Sequence, residues 1–122
     1  MTDIMLVDDE VLALEYLKNM VDWERNGYHV VGCATSGKKA LELFDRTHPQ
    51  IVISDIRMPG TDGLELTRQI KEKDKETVVI LLSAYRDFDY AQKGIRYGVS
   101  NYLLKHELSS ELILKELEEV KE

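Results

Sequence analysis

Ile51-Val52-Ile53-Ser54-Asp55 is a short run, mostly apolar and β-branched, that ends in a carboxylate. A run of this length and composition predicts a strand buried on both faces of a sheet. The segment that follows carries Leu64, Leu66 and Ile70 and is long enough for a helix. The stretch therefore predicts one β-then-α unit with Asp55 at the junction.

The same unit recurs on both sides of this stretch. Apolar runs begin at Ile4, Tyr28, Val78 and Tyr102, and each precedes a segment of helical spacing. Five β-then-α units in succession predict an α/β fold with one parallel sheet and helices on both of its faces. Right-handed crossovers restrict the topology of such a sheet to a few choices.

Local signals mark two of the helix starts. Asp62-x-x-Glu65 predicts an N-cap for the helix after the third strand, and Asp87 predicts the start of the helix after the fourth. Gly63 and several other glycines lie near the inferred element boundaries. Cys33 lies on a predicted strand and is expected to be a small core residue.

Composition limits the classes of function. The chain has 122 residues, the size of one domain, and 23 acidic against 16 basic residues give a net charge of −7. That balance argues against binding of nucleic acid or an anionic membrane. The longest apolar run begins at Val78 and is too short to span a membrane. With a single cysteine and no secretion signal, a cytoplasmic location is expected.

Chemically active residues follow four of the predicted strands. They are Asp8, Asp9 and Glu10 after the first, Asp55 after the third, Ser83 after the fourth and Lys105 after the fifth. Taken singly, the acids are helix caps or turn residues, Ser83 a capping hydroxyl and Lys105 a solvated charge. Ligands of open parallel sheets bind beyond the carboxyl ends of the strands. If the first and third strands are neighbours, these groups therefore converge.

Convergence would make the acidic group unstable without a counterion. Two carboxylates about 4 Å apart repel by about 4 kcal/mol at an effective dielectric of 20, so three such pairs would cost about 12 kcal/mol. Oxygen-only ligands favour a hard divalent ion, and Mg²⁺ suits a few carboxylates working with a phosphate. Asp55 then becomes a candidate nucleophile for a phosphoryl group, with Lys105 balancing charge and Ser83 donating a hydrogen bond.

Four motifs in order resemble the receiver domain of two-component response regulators. They are Leu6-Val7-Asp8-Asp9-Glu10, Ile53-Ser54-Asp55-Ile56-Arg57-Met58-Pro59-Gly60-Thr61-Asp62-Gly63, Leu82-Ser83-Ala84 and Tyr102-Leu103-Leu104-Lys105. Asp22-Trp23-Glu24 with Gly27, and residues 83–93, are similar to the YesN-like group, whose output is an AraC-type DNA-binding domain. The resemblance implies a flavodoxin-like, doubly wound five-stranded parallel sheet of order 2-1-3-4-5. It also implies that residues 1–122 form one receiver domain.

The resemblance assigns a role to each site residue. A histidine kinase would transfer its phosphoryl group to Asp55, and Mg²⁺ would be held by Asp8, Asp9, Asp55 and the backbone carbonyl of Arg57. Lys105 and Ser83 would contact phosphoryl oxygens. Movement of Ser83 would leave space into which Tyr102 rotates. The domain would thus be a phosphoacceptor and switch and not an enzyme acting on a separate substrate.

The resemblance also implies partners. The switch would control transcription through a covalently linked C-terminal DNA-binding domain, which this chain does not contain, and this segment would not itself bind nucleic acid. The helical pattern from Leu112 onward has no stop signal, so the chain is expected to belong to a longer protein. Tyr90 and Tyr97, seven residues apart, would share one helical face and form part of a phosphorylation-dependent homodimer surface.

One residue departs from the family pattern. His106 stands where the family usually has a proline, often behind a cis peptide bond. A non-proline cis bond costs about 3 kcal/mol, so the Lys105–His106 bond is predicted to be trans. Lys105 is nonetheless predicted to remain within reach of Asp55.

Three alternative functions compete with that of a receiver. A haloacid-dehalogenase-like phosphohydrolase would need a second aspartate where Arg57 stands, and its cap domain does not fit in this length. A flavin carrier would place a phosphate against Asp8 and Asp9. The remaining alternative is a receiver-like domain that takes no phosphate and acts only by protein binding, which His106 alone favours.

Overall fold

A computed structural model describes residues 1–84, 92 and 96–121 and shows one parallel sheet of five strands. The strands are β1 (Thr2–Val7), β2 (Tyr28–Ala34), β3 (Ile51–Asp55), β4 (Val78–Ser83) and β5 (Asn101–Leu104). Their order in the sheet is β2-β1-β3-β4-β5, which confirms the predicted topology. The reversal of strand order lies between β1 and β3, so these two strands are neighbours.

Four helices pack against the sheet in the described part of the chain. They are α1 (Val11–Met20), α2 (Gly37–Thr47), α3 (Gly63–Lys73) and the C-terminal helix (Ser110–Lys121). Two short 3-10 helices, Glu24–Asn26 and Lys105–Glu107, complete the connections. None of the helices described here has the length and apolar character needed to cross a bilayer. Asp87 and Tyr90, and with them most of the helix predicted after β4, lie outside the described residues.

The central strands are buried on both faces, as their apolar runs predict. Ile4 and Leu6 of β1 face the layer of α1 and the C-terminal helix, whereas Met5 and Val7 face α2 and α3. β3 and β4 divide their side chains between the same two cores. Both faces are covered because right-handed crossovers place helices on each side of the sheet.

The edge strands depart from that prediction. The middle of β2 and most of β5 are only half-buried, because an edge strand has a neighbour on one side only. Cys33 of β2 is accordingly half-buried and packs against the core beneath α1. Burial raises the pKa of its thiol, and the nearby Lys18 ammonium offsets part of that effect.

The N-cap predicted for α3 is confirmed. Asp62 has extended backbone geometry, and its Oδ1 accepts a hydrogen bond of 2.9 Å from the backbone N–H of Glu65. A capping side chain satisfies one of the backbone donors that a helix start leaves unpaired. α3 therefore begins at Gly63, immediately behind the loop that follows Asp55.

We expect Asp62→Ala to lower the free energy of unfolding by about 1 kcal/mol, because the Glu65 amide loses its acceptor. Asp62→Asn is the matched control, since the amide oxygen can accept the same hydrogen bond. Urea denaturation of both variants measures the difference. Equal losses in the two variants would show that the capping bond is not what Asp62 contributes.

Candidate functional site

The strand register brings the predicted residues to one edge of the sheet. Val7 of β1 lies beside Ser54 of β3, so the residues that follow them, Asp8 and Asp55, are neighbours. On the other side of β3, Asp55 pairs with Leu82 of β4. Parallel strands end at the same edge of a sheet, and this edge lies at the switch point where such folds bind ligands.

Three carboxylates meet at this edge. Asp8, Asp9 and Asp55 each offer an oxygen, and the three oxygens lie within 4.8 Å of one another. Asp8 and Asp55 are buried, with 5% and 8% of their surface exposed, whereas Asp9 faces solvent. Glu10 is exposed at the N-cap of α1 and lies outside this cluster.

The turn into α1 orients Asp8. The backbone N–H of Glu10 donates a 3.0 Å hydrogen bond to Asp8 Oδ1, and the Asp8 N–H donates to the carbonyl of Ala34. The simple expectation that these acids cap α1 through their side chains is therefore only partly right. Glu10 occupies the N-cap and makes no side-chain capping bond, while Asp8 accepts from the turn and keeps Oδ2 for the site.

Lys105 is the cation of the site. Its Nζ lies 3.2 Å from Asp55 Oδ1 and 3.3 Å from Asp8 Oδ2. The Lys105–His106 peptide bond is trans, as is every other peptide bond within the described segments. The trans bond and the position of Lys105 within reach of Asp55 are both confirmed. The chain continues from Lys105 as the 3-10 helix Lys105–Glu107, and no cis bond is needed to bring the lysine to the acids.

The electrostatics of the site show an excess of negative charge. Burial raises the pKa of Asp55, the Asp8 carboxylate raises it further, and the Lys105 ammonium offsets this only in part. For Lys105, burial alone would lower the pKa, but Asp55 and Asp8 together outweigh burial and raise it. One ammonium thus contacts two buried carboxylates, and the three aspartates of the cluster have a formal charge that exceeds that of Lys105 by two.

The donor set fits a hard divalent cation. All three side chains offer oxygen, the charge excess matches a dication, and exposed Asp9 leaves one side open to water or a phosphate. Arg57, whose carbonyl is the fourth expected ligand, lies two residues beyond Asp55 in the loop that leads to α3 and is exposed. The structure therefore brings together the three predicted acidic ligands and keeps Arg57 in the adjoining loop.

Ser83 is the last residue of β4, and Tyr102 is the second residue of the neighbouring strand β5, beside Leu81. Ser83 is fully buried, and its Oγ has no hydrogen-bond partner within the described residues. Tyr102 is half-buried on β5 and packs against the core beneath α2 and α3. A buried hydroxyl without a partner is energetically costly, and an acceptor placed above β4 would satisfy it.

Gly63 is a site residue whose role the sequence did not reveal. A Cβ on Gly63 would lie 2.4 Å from the carbonyl oxygen of Asp55 and 2.9 Å from Cα of Ile56. The Gly63 N–H donates a 2.7 Å hydrogen bond to Ile56, and Thr67 Oγ1 donates to the Gly63 carbonyl. Only a glycine allows α3 to approach the backbone of Asp55 this closely. The sequence indicates only that Gly63 lies near a helix boundary.

The fold and the acidic edge define a class of doubly wound α/β domains with a cluster of carboxylates at the switch point. The family model described as "Response regulator receiver domain" matches residues 4–117. The chain belongs to this family. Receiver domains are phosphoacceptors of two-component systems and use Mg²⁺ at an acidic pocket. Membership decides against the phosphohydrolase and flavin-carrier alternatives.

Individual relatives agree with the family. The chain is 38% identical over 120 residues to the uncharacterized transcriptional regulatory protein YesN of Bacillus subtilis, covering 98% of this chain and 32% of YesN. It is 42% identical over 105 residues to an uncharacterized response regulatory protein of Staphylococcus epidermidis, covering 86% and 41%. The chain thus spans about a third to two-fifths of the length of these curated relatives.

Solved structures show the same fold. The REC domain of AraT, a response regulator from Geobacillus stearothermophilus, superimposes with a TM-score of 0.90 at 32% identity, covering 98% of this chain and 92% of that one. A two-component transcriptional regulator AraC from Clostridium phytofermentans gives a TM-score of 0.84 at 26% identity, covering 98% and 91%. The predicted resemblance to receivers, and to YesN-like and AraC-type regulators among them, is confirmed.

Proposed function

We propose that this chain accepts a phosphoryl group from a histidine kinase onto Asp55 and changes conformation in response. The observation that carries the proposal is the position of Asp55: a buried carboxylate at the end of β3, within 3.2 Å of Lys105 and in one cluster with Asp8 and Asp9. The phosphorus–nitrogen bond of the donor breaks as a bond from an Asp55 oxygen to phosphorus forms. The departing imidazole keeps the electron pair.

We assign the metal to Asp8, Asp9, Asp55 and the carbonyl of Arg57. A bound Mg²⁺ would neutralise phosphoryl charge and orient the group for transfer. Lys105 acts as the second positive charge, and its two contacts hold its ammonium between Asp8 and Asp55. Together these groups stabilise negative charge that increases around phosphorus during transfer.

We infer that the switch begins at Ser83. Its buried, unpartnered Oγ gains an acceptor when a phosphoryl oxygen arrives above Asp55. Movement of Ser83 toward that oxygen leaves space at the end of β4, and Tyr102 of the neighbouring strand turns into it. The change is a shift between two packed arrangements, biased by one local change of charge.

For the whole protein we propose a cytoplasmic transcription regulator. The greater length of YesN and of the Staphylococcus relative supports a further domain. The likeness to the AraC regulator of Clostridium phytofermentans supports a C-terminal DNA-binding domain of AraC type. The acidic receiver would not itself contact nucleic acid. We place kinase contact at Val11, Leu12 and Tyr16 of α1, which are exposed beside the acidic site. Tyr97, also exposed, would contribute to a phosphorylation-dependent homodimer.

The proposed function is tested by incubating the protein with acetyl phosphate and Mg²⁺ and measuring its intact mass. A gain of one phosphoryl group that requires Mg²⁺ and maps to Asp55 by peptide analysis is expected. An adduct on another residue would refute the assignment of Asp55. Absence of any adduct, with acetyl phosphate and with phosphorylated kinases alike, would favour the receiver that acts only by protein binding.

We expect Lys105→Met to tighten Mg²⁺ binding about tenfold, because the lysine competes with the metal for the same oxygens. Coulomb attraction over these distances would permit a larger increase in Mg²⁺ affinity. Lys105 is about one-third exposed, however, and solvent screens its charge. Calorimetric titration measures the change. Lys73→Met, which removes a surface lysine paired with Asp45 at 3.0 Å, is the control and should leave Mg²⁺ affinity unchanged. Weaker binding in Lys105→Met would contradict the competition.

A further inference from the structure

A small cavity opens next to the acidic site, between α1 and the connection from β5 to the C-terminal helix. Its volume is about 220 Å³. The residues lining it are Asp8, Ala13, Tyr16, Leu17, Leu82, Lys105 and Leu108. Asp8 and Lys105 belong to the acidic site as well, so the cavity and the site share a wall.

The rest of the lining is apolar or aromatic. Leu17 and Leu82 are buried members of the core beneath α1, and Leu108 packs against that core. Ala13 is half-buried, and Tyr16 stands at the exposed outer side. The cavity is therefore polar where it meets Asp55's neighbours and apolar farther away. The charged part of the lining is one carboxylate, Asp8, and one ammonium, Lys105. A ligand whose phosphoryl group lies at Asp55 beside this ammonium can extend a compact apolar end into the cavity.

We propose that this cavity binds the apolar leaving group of a small acyl phosphate, so that aromatic or branched acyl phosphates are better phosphoryl donors than acetyl phosphate. The inference rests on the proposed function, because the phosphoryl end must lie at Asp55. A cavity of about 150 Å³ lined by apolar side chains can hold benzene, so the present volume admits a phenyl ring. The methyl group of acetyl phosphate would leave most of it unfilled.

The transfer balances without another reactant. A bond forms from an Asp55 carboxylate oxygen to phosphorus, and the bond from phosphorus to the acyl oxygen breaks. The acyl group departs as a carboxylate, which keeps the electron pair of the broken bond and carries one negative charge. Asp55 loses its own carboxylate charge when it forms the bond to phosphorus, so the total charge is unchanged. No proton is needed by the leaving group, so the cavity has only to bind its apolar part.

The first test compares initial rates of phosphorylation by benzoyl phosphate and acetyl phosphate, with Mg²⁺ present, by intact mass. Half-saturation is expected at an about tenfold lower concentration of benzoyl phosphate, equivalent to about 1.4 kcal/mol. Ala13→Leu fills the cavity and Leu108→Ala removes one wall, so each should reduce the ratio of benzoyl to acetyl rates severalfold or more. Asn19→Leu, an exposed position on the same helix outside the cavity, should leave the ratio unchanged.

Equal half-saturation for the two donors in the unaltered protein would overturn the proposal, as would a ratio insensitive to both cavity variants. These outcomes leave the proposed function intact, because Asp55 would still be phosphorylated. Failure of both acyl phosphates and of phosphorylated kinases to phosphorylate Asp55 would refute the proposed function instead.

The second test needs no transfer. Benzylphosphonate and methylphosphonate cannot donate their phosphorus, and each is titrated into the Mg²⁺-loaded protein while amide resonances are followed by NMR. Benzylphosphonate is expected to shift the resonances of Ala13, Tyr16 and Leu108 and to bind about tenfold more tightly. Shifts confined to Asp8, Asp9 and Asp55 with both compounds, or equal affinity for the two, would show that the cavity takes no part.

Discussion

Replacing Asp55 with asparagine is expected to abolish the phosphoryl adduct completely. The carboxylate is the only proposed nucleophile, and a neutral amide neither attacks phosphorus nor contributes negative charge to the acidic cluster of Asp8, Asp9 and Asp55. Intact-mass measurement after incubation with acetyl phosphate and Mg²⁺ records the loss. Asp45→Asn is the matched control, because Asp45 is a half-exposed acid of α2 paired with Lys73, and it should be phosphorylated at the rate of the unaltered protein.

The same substitution should change stability with a defined dependence on pH. Because the pKa of Asp55 is raised in the folded state, the folded protein binds more protons than the unfolded chain between the ordinary pKa, about 3.9, and the raised one. The contribution of Asp55 to stability therefore decreases as pH rises through that interval. Asparagine does not titrate, so Asp55→Asn should become more stable relative to the unaltered protein as pH increases.

Urea denaturation of both proteins in metal-free buffer, from pH 3 to pH 7 in steps of about one unit, measures this difference. A difference in unfolding free energy that moves in the opposite direction would mean that Lys105 more than compensates the burial of Asp55. An adduct that persists in Asp55→Asn would mean that another residue accepts the phosphoryl group.

Gly63→Ala is expected to lower the free energy of unfolding by about 3 kcal/mol. Alanine is better than glycine within a helix by about 1 kcal/mol, so helix propensity alone would predict stabilisation. The change in unfolding free energy is nevertheless expected to be a loss, because the added methyl would lie 2.4 Å from the Asp55 carbonyl oxygen. That oxygen belongs to the backbone at the end of β3 and cannot rotate away as a side chain could. Overpacking of this kind costs about 1–3 kcal/mol and occasionally more.

Gly60→Ala provides the control, because Gly60 has a φ of +75° but open space around its Cβ position. Alanine at this position is destabilising only because its backbone must adopt the left-handed conformation, which costs about 1 kcal/mol. Chemical denaturation compares the unfolding free energies of the two variants. Gly63→Ala should also slow phosphorylation, because the added methyl displaces Asp55. A smaller loss in Gly63→Ala than in Gly60→Ala would show that α3 can move away from β3 at little cost.

Much of the fold could be predicted from local patterns. The third strand was identified from Ile51-Val52-Ile53 and the start of α3 from Asp62, because burial on two faces and the capping of a helix leave signals within a few residues. The edge strands were predicted less well. β2 and β5 have the apolar composition of central strands, and their half-burial depends on their position in the sheet.

The residues of the site could also be predicted from local patterns, because each of them lies at the end of a predicted strand. Asp8, Asp9, Asp55 and Lys105 do meet, since parallel strands bring their carboxyl ends to one edge. The unpartnered state of Ser83 and the close approach of Gly63 to Asp55 could not be predicted. Both depend on which atoms of distant segments come within contact distance.

The amino-acid sequence by itself thus determined the strand and helix succession, the family and the chemical groups at the strand ends, because each of these depends on residue type and on spacing along the chain. Only the tertiary structure decided how the charges are shared, with one Lys105 ammonium between two buried carboxylates, and where the cavity beside them opens. Coulomb energies and packing depend on distances in space and on exclusion of water. These quantities arise only when segments as far apart as Asp8 and Lys105 are folded together.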